Sequence, residues 1–418
     1  MTKEPRRLPA SLRAFAHRDF TLFWSGALVS NIGVWLSNLT VPFVLFQLTG
    51  SAMWTSFASV AQFLPSFLLG PVAGWLADRF ERRIVLLFTQ GGLAAAAVAL
   101  WLAWLFGWRT PEMLIGMVLI QGIFQGLNTP SWQSFVHDLV PREDLRSAVT
   151  LNSVQFNSAR SIGPAIAGAV IGILGPASSF GLNALSFVGV LVALIMIPNR
   201  RAHGVTAKPG NFMQAVRYLK TQPGIIVAVV LATAVSFLVN PILQFTVVFA
   251  GSVFNVGPLP LGLMNAAMGL GSLIGLPLVA GSMIRTRAGV VKIGLVLIGV
   301  GLVGFGFSPN WVFSVGCLVL IGFGFLAAIS SSNTAIQLIV AQQFRGRVMA
   351  IRIMAYQLAY PLGAFVTGVL SDWVGPRVVM VGAGVCLLLV WGLFSLARGR
   401  LSLDRLDDPY DDSFDEDH

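Results

Sequence analysis

Much of this chain cannot be dissolved in water. From Met53 to Leu69 there is no charged side chain; five charges then crowd into six positions (Asp78, Arg79, Glu81, Arg82, Arg83), and apolar sequence resumes at Ile84. A helix of about 20 apolar residues crosses the hydrocarbon of a bilayer, and runs of that kind recur along all 418 residues. Twelve are expected: 20–46, 53–76, 84–106, 112–136, 148–174, 178–197, 224–249, 259–284, 290–307, 311–338, 350–371 and 377–396. Hydrocarbon offers the backbone no partner, so each run must close its own hydrogen bonds as a helix; none alternates as a barrel strand would. The expectation is an all-α membrane protein with 12 transmembrane helices. Composition agrees, with 56% hydrophobic and 11% charged residues where a water-solvated domain carries about a quarter charged.

The net charge of +10 raises the question of nucleic acid, but its placement points to a lipid bilayer instead. Even-numbered connections, with the span edges beside them, and both termini hold 24 of the 27 Lys and Arg residues. Odd-numbered connections hold Arg109 and Arg377, and Arg160 falls within a helix. Basic loops stay on the cytoplasmic side, so both termini are expected there, in a multi-pass protein of the inner or plasma membrane. The first run is too long for a signal-peptide core and reads as a retained helix. Two cysteines, Cys317 and Cys386, both inside expected helices, supply neither a disulfide framework nor a metal cluster. No residue pattern calls for a cofactor, and no phosphate-cradling Gly-rich lysine loop is present. Four histidines (His17, His137, His203, His418), none in mid-helix, leave little for a membrane-embedded enzyme.

The longest connection, 198–223, separates six helices from six, and its stretch "NFMQAVRYLK" has the spacing of an amphipathic surface helix. "TGSAMWTSFASVAQFLPSFLLGPVAG" (49–74) aligns without gaps on "VGPLPLGLMNAAMGLGSLIGLPLVAG" (256–281), and "SIGPAIAG" (161–168) on "PLGAFVTG" (361–368), at shifts of 207 and 200. Duplication is the better account of two matches at nearly equal shift. The expected organisation is a cytoplasmic segment 1–19, a six-helix bundle 20–197, a linker 198–223, a second bundle 224–397 related to the first by a pseudo-twofold axis, and an acidic tail 398–418. Its stretch "LDDPYDDSFDEDH" (406–418) is expected to be solvated and disordered. Parallel halves of this kind are a transporter plan with the substrate site near mid-membrane.

In "GPVAGWLADRFERR" (70–83), Gly74, Leu76, Ala77, Asp78, Arg79, Arg82 and Arg83 resemble the loop between helices two and three of the major facilitator superfamily; Glu81 departs, where the general signature has glycine. The resemblance implies that Asp78 docks against neighbouring helix ends and helps hold a cytoplasmic gate, with Arg142, Arg146, Arg345 and Arg347 as candidate partners. The plainer alternative is that these charges only anchor topology. "NSVQFNSARSIGPAIAG" (152–168) resembles the branch of that superfamily containing the enterobactin exporter and related secretion proteins, as do "RDFTLFWSGALVSNIGVWL" (18–36) and "LTGSA" (48–52). Gly163, Pro164 and Gly168 also resemble the fifth-helix motif of drug:proton antiporters, where glycines admit close helix contact and proline a bend.

Arg160 sits near the middle of the fifth run, where an arginine costs about 3 kcal/mol on insertion scales and keeps its proton. It shares a helical face with Ser153, Asn157 and Pro164. Two readings stand: a cation lining a substrate cavity, or one buried against backbone carbonyls. Polar residues recur at helical spacing elsewhere: Asn31 and Asn38 in the first run, and Gln121, Gln125 and Asn128 in the fourth. Asn240 and Gln244 lie in the seventh, Asn333 and Gln337 in the tenth, Tyr356, Gln357 and Tyr360 in the eleventh. In a bilayer such groups face protein or water, so they are candidate cavity residues; helix–helix hydrogen bonding is the alternative for any one of them. None of the 17 acidic residues lies in the middle third of a span. Coupling to protons is therefore implied by the resemblance alone, with Asp19, Asp78, Asp138 and Asp372 as peripheral candidates.

The expectation is a secondary active exporter of siderophore-like or amphipathic small molecules, working by alternating access. Lipid flipping and nutrient uptake on the same fold remain open at this point.

Overall fold

The computed structural model describes residues 9–198, 212–275, 286–397, 399 and 401–408. In chain order its helices are α1 (Arg18–Thr49), α2 (Ala52–Leu68), α3 (Gly70–Arg79), α4 (Arg82–Leu105), α5 (Pro111–Asp138), α6 (Leu145–Met196), α7 (Phe212–Thr221), α8 (Pro223–Leu238), α9 (Ile242–Val248), α10 (Pro258–Ile274), α11 (Arg287–Gly306), α12 (Trp311–Ile339), α13 (Arg345–Val374) and α14 (Pro376–Leu396). Among the described residues, nine helical stretches are long and apolar enough to cross a membrane.

Where these differ from the expected runs, proline or glycine gives the reason. The fifth and sixth runs form one 52-residue helix broken at Gly175, whose φ of 80° is open only to glycine at little cost. The second run is a pair, α2 and α3, bent by 52°; Pro71, at the start of α3, has no N–H to give the preceding turn. The seventh run divides into α8 and α9 just before and after Pro241, then ends in a π-helical turn, Phe249–Val253. The eighth run begins as α10, and 276–285 lie outside the described residues.

By contacts the chain divides into two compact units: 1–49 with 61–206 and 257–262, and 50–60 with 207–256 and 263–418. In the first unit α1 lies along α6. A Cβ on Gly26 would stand 2.7 Å from the Gly189 carbonyl oxygen, and one on Gly33 would meet the side chain of Ser186. Phe20, Phe23, Leu86, Phe135, Phe187 and Leu194 fill the core beside that contact. In the second unit Ile225, Phe245, Phe249, Leu295, Phe305 and Ile321 are fully buried.

The linker helix α7 exists and is anchored: Tyr218 is buried, its phenol oxygen accepts from the Ala341 N–H at 3.0 Å, and its ring stacks on Phe344 at 4.4 Å. The start of the acidic tail corrects the expectation of a solvated segment. Leu403–Asp407 is a 3₁₀ helix with Leu403 and Leu406 fully buried in the second unit. Asp407 accepts from the Arg287 and Ala288 N–H groups at 2.8 and 3.1 Å, capping α11, and Asp404 meets Lys292 at 2.7 Å. Residues 409–418 lie outside the described residues.

Candidate functional site: a charged loop, two glycine seams and a polar seam

The charged loop folds in the first unit. Arg82 reaches both carboxylate oxygens of Asp138 at 2.7 and 2.8 Å, tying the start of α4 to the end of α5. Arg83 donates to the Leu194 and Ile195 carbonyls at 2.6 and 3.0 Å, at the C-terminus of α6, where the helix dipole favours a cation. Arg79 ends α3 and is exposed. Asp78 is exposed as well and makes no hydrogen bond or ion pair among the described residues. Of its candidate partners, Arg142, Arg146 and Arg345 are exposed, and Arg347 lies 5.6 Å from the Phe344 ring. Nothing lies within 4 Å of a Cβ placed on Gly74, so close packing is not what requires glycine there.

Two tight helix crossings stand out elsewhere. In the first unit, Gly163, Pro164 and Gly168 form the contact face of α6. A Cβ on Gly163 would come 2.5 Å from Trp35 Cβ, and one on Gly168 2.5 Å from the Pro258 oxygen and 2.8 Å from Gly262 Cα. In the second unit, the first turns of α2 lie on the last turns of α13. Gly368 abuts Ser56, and the rings of Phe57 and Phe365 are 5.6 Å apart. Asp372 caps the start of α2: its carboxylate accepts from the Ala52 and Met53 N–H groups at 2.8 and 3.2 Å and from the Ser51 hydroxyl at 2.5 Å. Those N–H groups have no partner within their own helix, and the N-terminal dipole favours an anion there. Residues 320 apart in sequence are thus joined.

A polar seam runs between α8, α9 and α13. Ser236 donates to the Tyr356 carbonyl at 2.7 Å, Asn240 reaches the Tyr356 hydroxyl at 3.0 Å, and Gln244 reaches the Tyr360 hydroxyl at 2.8 Å. Four-residue steps on both sides, 240 to 244 and 356 to 360, keep the pairs in register. Asn240 and Gln244 are buried at 8% and 7% exposure, so these four side chains satisfy one another. Just behind, Asn265 donates to Thr246 at 2.8 Å.

The remaining candidates divide. Asn38 accepts from Gln62 at 2.8 Å. Asn128 is buried and accepts from Thr89 and Gln90 at 2.9 and 3.1 Å, a packing position between α4 and α5. Asn157 is exposed and bonds back to the Ser153 carbonyl at 2.8 Å. Arg160 is half-buried and engaged. Asn31, Gln125 and Gln357 are half-buried, and Gln337 is exposed. Gln121 Nε2 and Asn333 Oδ1 are buried atoms with no partner. Sequence reasoning missed one group: Arg352, counted with the cytoplasmic loops, lies two turns inside α13 at 8% exposure. Its signal was there, a cation at the third position of the run 350–371.

Known proteins resemble most of the chain. The family model described as transmembrane secretion effector matches residues 10–412. Macrolide efflux protein A of Streptococcus pyogenes is 24% identical over 394 residues, covering 91% of this chain and 96% of its own length. The enterobactin exporter of Citrobacter koseri is 26% identical over 413 residues, covering 95% of each. Among solved structures, a bacterial homologue of the human lysosomal transporter Spinster superposes with a TM-score of 0.75 at 14% identity, over 94% of this chain and 99% of that one. That likeness bears on the fold, a bundle of membrane helices.

Proposed function

This chain belongs to the transmembrane secretion effector family of the major facilitator superfamily, and from that premise we propose that it is a secondary active exporter of amphipathic, siderophore-like or drug-like small molecules. The observation that carries the reading is end-to-end similarity to two exporters whose named cargoes, a macrolide and enterobactin, are chemically unlike. A scaffold common to both is suited to bulky amphipathic molecules, which a lining of amides, phenols and aromatic rings accommodates by shape and hydrogen bonding.

Alternating access is the proposed mechanism. The gating set is Gly74, Asp78, Arg79, Arg82 and Arg83 in the loop, with Gly163, Pro164 and Gly168 in the α6 crossing. The crossings at Gly168 and at Asp372 adjoin odd-numbered connections, the non-cytoplasmic ends in the expected topology, while Asp78 adjoins an even-numbered one. Cargo would meet Asn31, Asn38, Gln121, Gln125, Asn157 and Arg160 from the first half. From the second half it would meet Asn333, Gln337 and Gln357, with the Asn240–Tyr356 and Gln244–Tyr360 pairs as exchangeable partners.

Proton antiport completes the proposal. With no acid in mid-span, protons would exchange at peripheral carboxylates, Asp78 foremost because it is exposed and unpaired. The test is transport in proteoliposomes. A labelled macrolide or catecholate siderophore should move outward against its gradient when a pH gradient is imposed, and the gradient should collapse faster when cargo is added. Uptake into intact cells, or cargo movement indifferent to the pH gradient, would reject export or antiport respectively.

A further inference from the structure

The second unit holds a cation for which the described residues supply no counterion. Arg352 lies two helical turns inside α13, is more than nine-tenths buried, and keeps its proton at any ordinary pH. It makes one hydrogen bond among the described residues: Nη2 donates to the Ile329 carbonyl of α12, at the 3.5 Å limit of such a bond. Nε has no partner. One turn beyond Ile329 on α12, Asn333 presents a buried Oδ1 that is also without a partner. One turn beyond Arg352 on α13, Tyr356 begins the polar seam with Asn240.

Charge in such a place is normally paired, because an unpaired guanidinium away from water is among the costliest groups to bury. No pairing acid can come from nearby sequence, since there is no Asp or Glu between Asp144 and Asp372. Asp372 is 20 residues further along α13, about 30 Å at the helical rise, and it caps α2. In the tail, Asp404, Asp407 and Asp408 are engaged with Lys292, the start of α11 and Arg405. A fork of donors with an open Nε edge matches a planar or tetrahedral oxyanion.

We propose that Arg352 is a binding residue for the oxyanion of a transported molecule, a carboxylate or a phosphate on an otherwise apolar or aromatic body, with Tyr356 one turn along α13, and Asn333 one turn from Ile329 on α12, as candidates for the neutral polar groups. The inference rests on the exporter reading and adds to it a cargo class and a second cation besides Arg160.

The test uses the full-length protein in phosphatidylcholine nanodiscs, with 2-naphthoate as probe and the isosteric, uncharged 2-naphthamide as control. Phenylglyoxal modification is followed peptide by peptide, so that Arg160 and Arg352 are read separately. Naphthoate should slow modification of Arg352 at least fivefold and naphthamide should not. In binding assays, Arg352→Gln should weaken naphthoate at least tenfold with naphthamide unchanged, and Arg352→Lys should lose no more than a few-fold. Equal protection by both probes, no protection, or an Arg352 that never reacts in the free protein would overturn the proposal, and the wild-type measurement stands even where the Gln variant does not fold. Protection of Arg160 alone would refute the role of Arg352 while leaving an anionic cargo intact; protection of neither would remove both. Protection that follows added phosphatidylglycerol, with naphthoate inert, would assign the oxyanion to lipid and overturn the proposal as well.

Discussion

Asp372 and Asp78 are both carboxylates near the end of a helix, and they are in opposite conditions. Asp372 holds the start of α2 with three hydrogen bonds; Asp78, at the end of α3, holds nothing among the described residues. The stronger sequence motif surrounds the idle one. The lesson is that a motif names a residue that acts in some state, whereas a bond network names one that acts in the state observed. In an alternating mechanism the two acids would exchange conditions, one letting go as the other engages.

The most severe way to break this comparison is at the glycine seams that accompany the engaged end. At Gly168 a Cβ would come 2.5 Å from the Pro258 oxygen and 2.8 Å from Gly262 Cα, both main-chain atoms that no rotamer change can move. Overpacking costs about 1–3 kcal/mol, more where backbone must shift. Gly168→Leu is expected to lower transport at least a hundredfold, while Gly91→Leu, with nothing within 4 Å, stays within about threefold of wild type. Equal transport by the two variants would dismiss the seam as a working contact.

Next in size is the cap itself. Asp372→Ala removes an N-terminal helix cap, worth about 1–2 kcal/mol, which is about a tenfold change in how often the contact opens. With Cys317 and Cys386 replaced by serine, a cysteine introduced by Met53→Cys reports that opening through its alkylation rate. The rate should rise about tenfold in Asp372→Ala and by less in Asp372→Asn, whose amide oxygen still accepts. An unchanged rate would mean that Asp372 decorates the helix end without holding it.

How much of this was readable beforehand depends on whether the cause is local. The apolar runs anticipate nearly all the helices, because hydrocarbon leaves the backbone one solution. The breaks at Gly175 and Pro241 carry local signals too, a glycine before a proline and a proline after an asparagine, but nothing in the sequence says which prolines break a helix and which, like Pro42 and Pro361, are carried inside one. Polar spacing put Asn240, Gln244, Tyr356 and Tyr360 on promising faces without revealing that they pair across 116 residues. Asn128 had the same spacing and is committed to packing. Arg352 was lost because charge at the edge of an apolar run was counted as loop, and Asp372, a peripheral candidate for proton exchange, could not be seen as a helix cap because its partners are 320 residues away.

A smaller effect sharpens the comparison from the other side. Asp78→Asn removes a charge that makes no bond in this state, so the alkylation rate at Met53→Cys and cargo affinity should both match wild type. If Asp78 acts in the alternate state, turnover should still fall, by roughly three- to tenfold, the net size of one ordinary hydrogen bond. Affinity that falls in step with turnover would place Asp78 in cargo binding, and turnover that does not fall would leave the motif a topology anchor.

The smallest effect belongs to a third carboxylate, one that should not cycle at all. Asp404 meets Lys292 at 2.7 Å within the second unit. The hydrogen bond from Lys292 holds its carboxyl below the ordinary aspartate value, with the lysine's charge and the Ser402 hydroxyl adding to it and partial burial opposing. An acid whose folded pKa is depressed contributes in full above its unfolded value, about 3.9, and the contribution fades as pH falls through the folded value. The clasp should therefore be constant from pH 5 to 8 and weaken only below about pH 4, seen as faster protease cleavage after Arg405 in a pH-tolerant assay. The side chain of Asp404 is 75% exposed, so solvent screens the pair, and Lys292→Ala should leave transport within about twofold of wild type. If that variant instead matched Asp372→Ala in its effect on transport, fixed and releasable carboxylate clasps would not be distinguishable in this protein, and the contrast between Asp372 and Asp78 would lose its meaning.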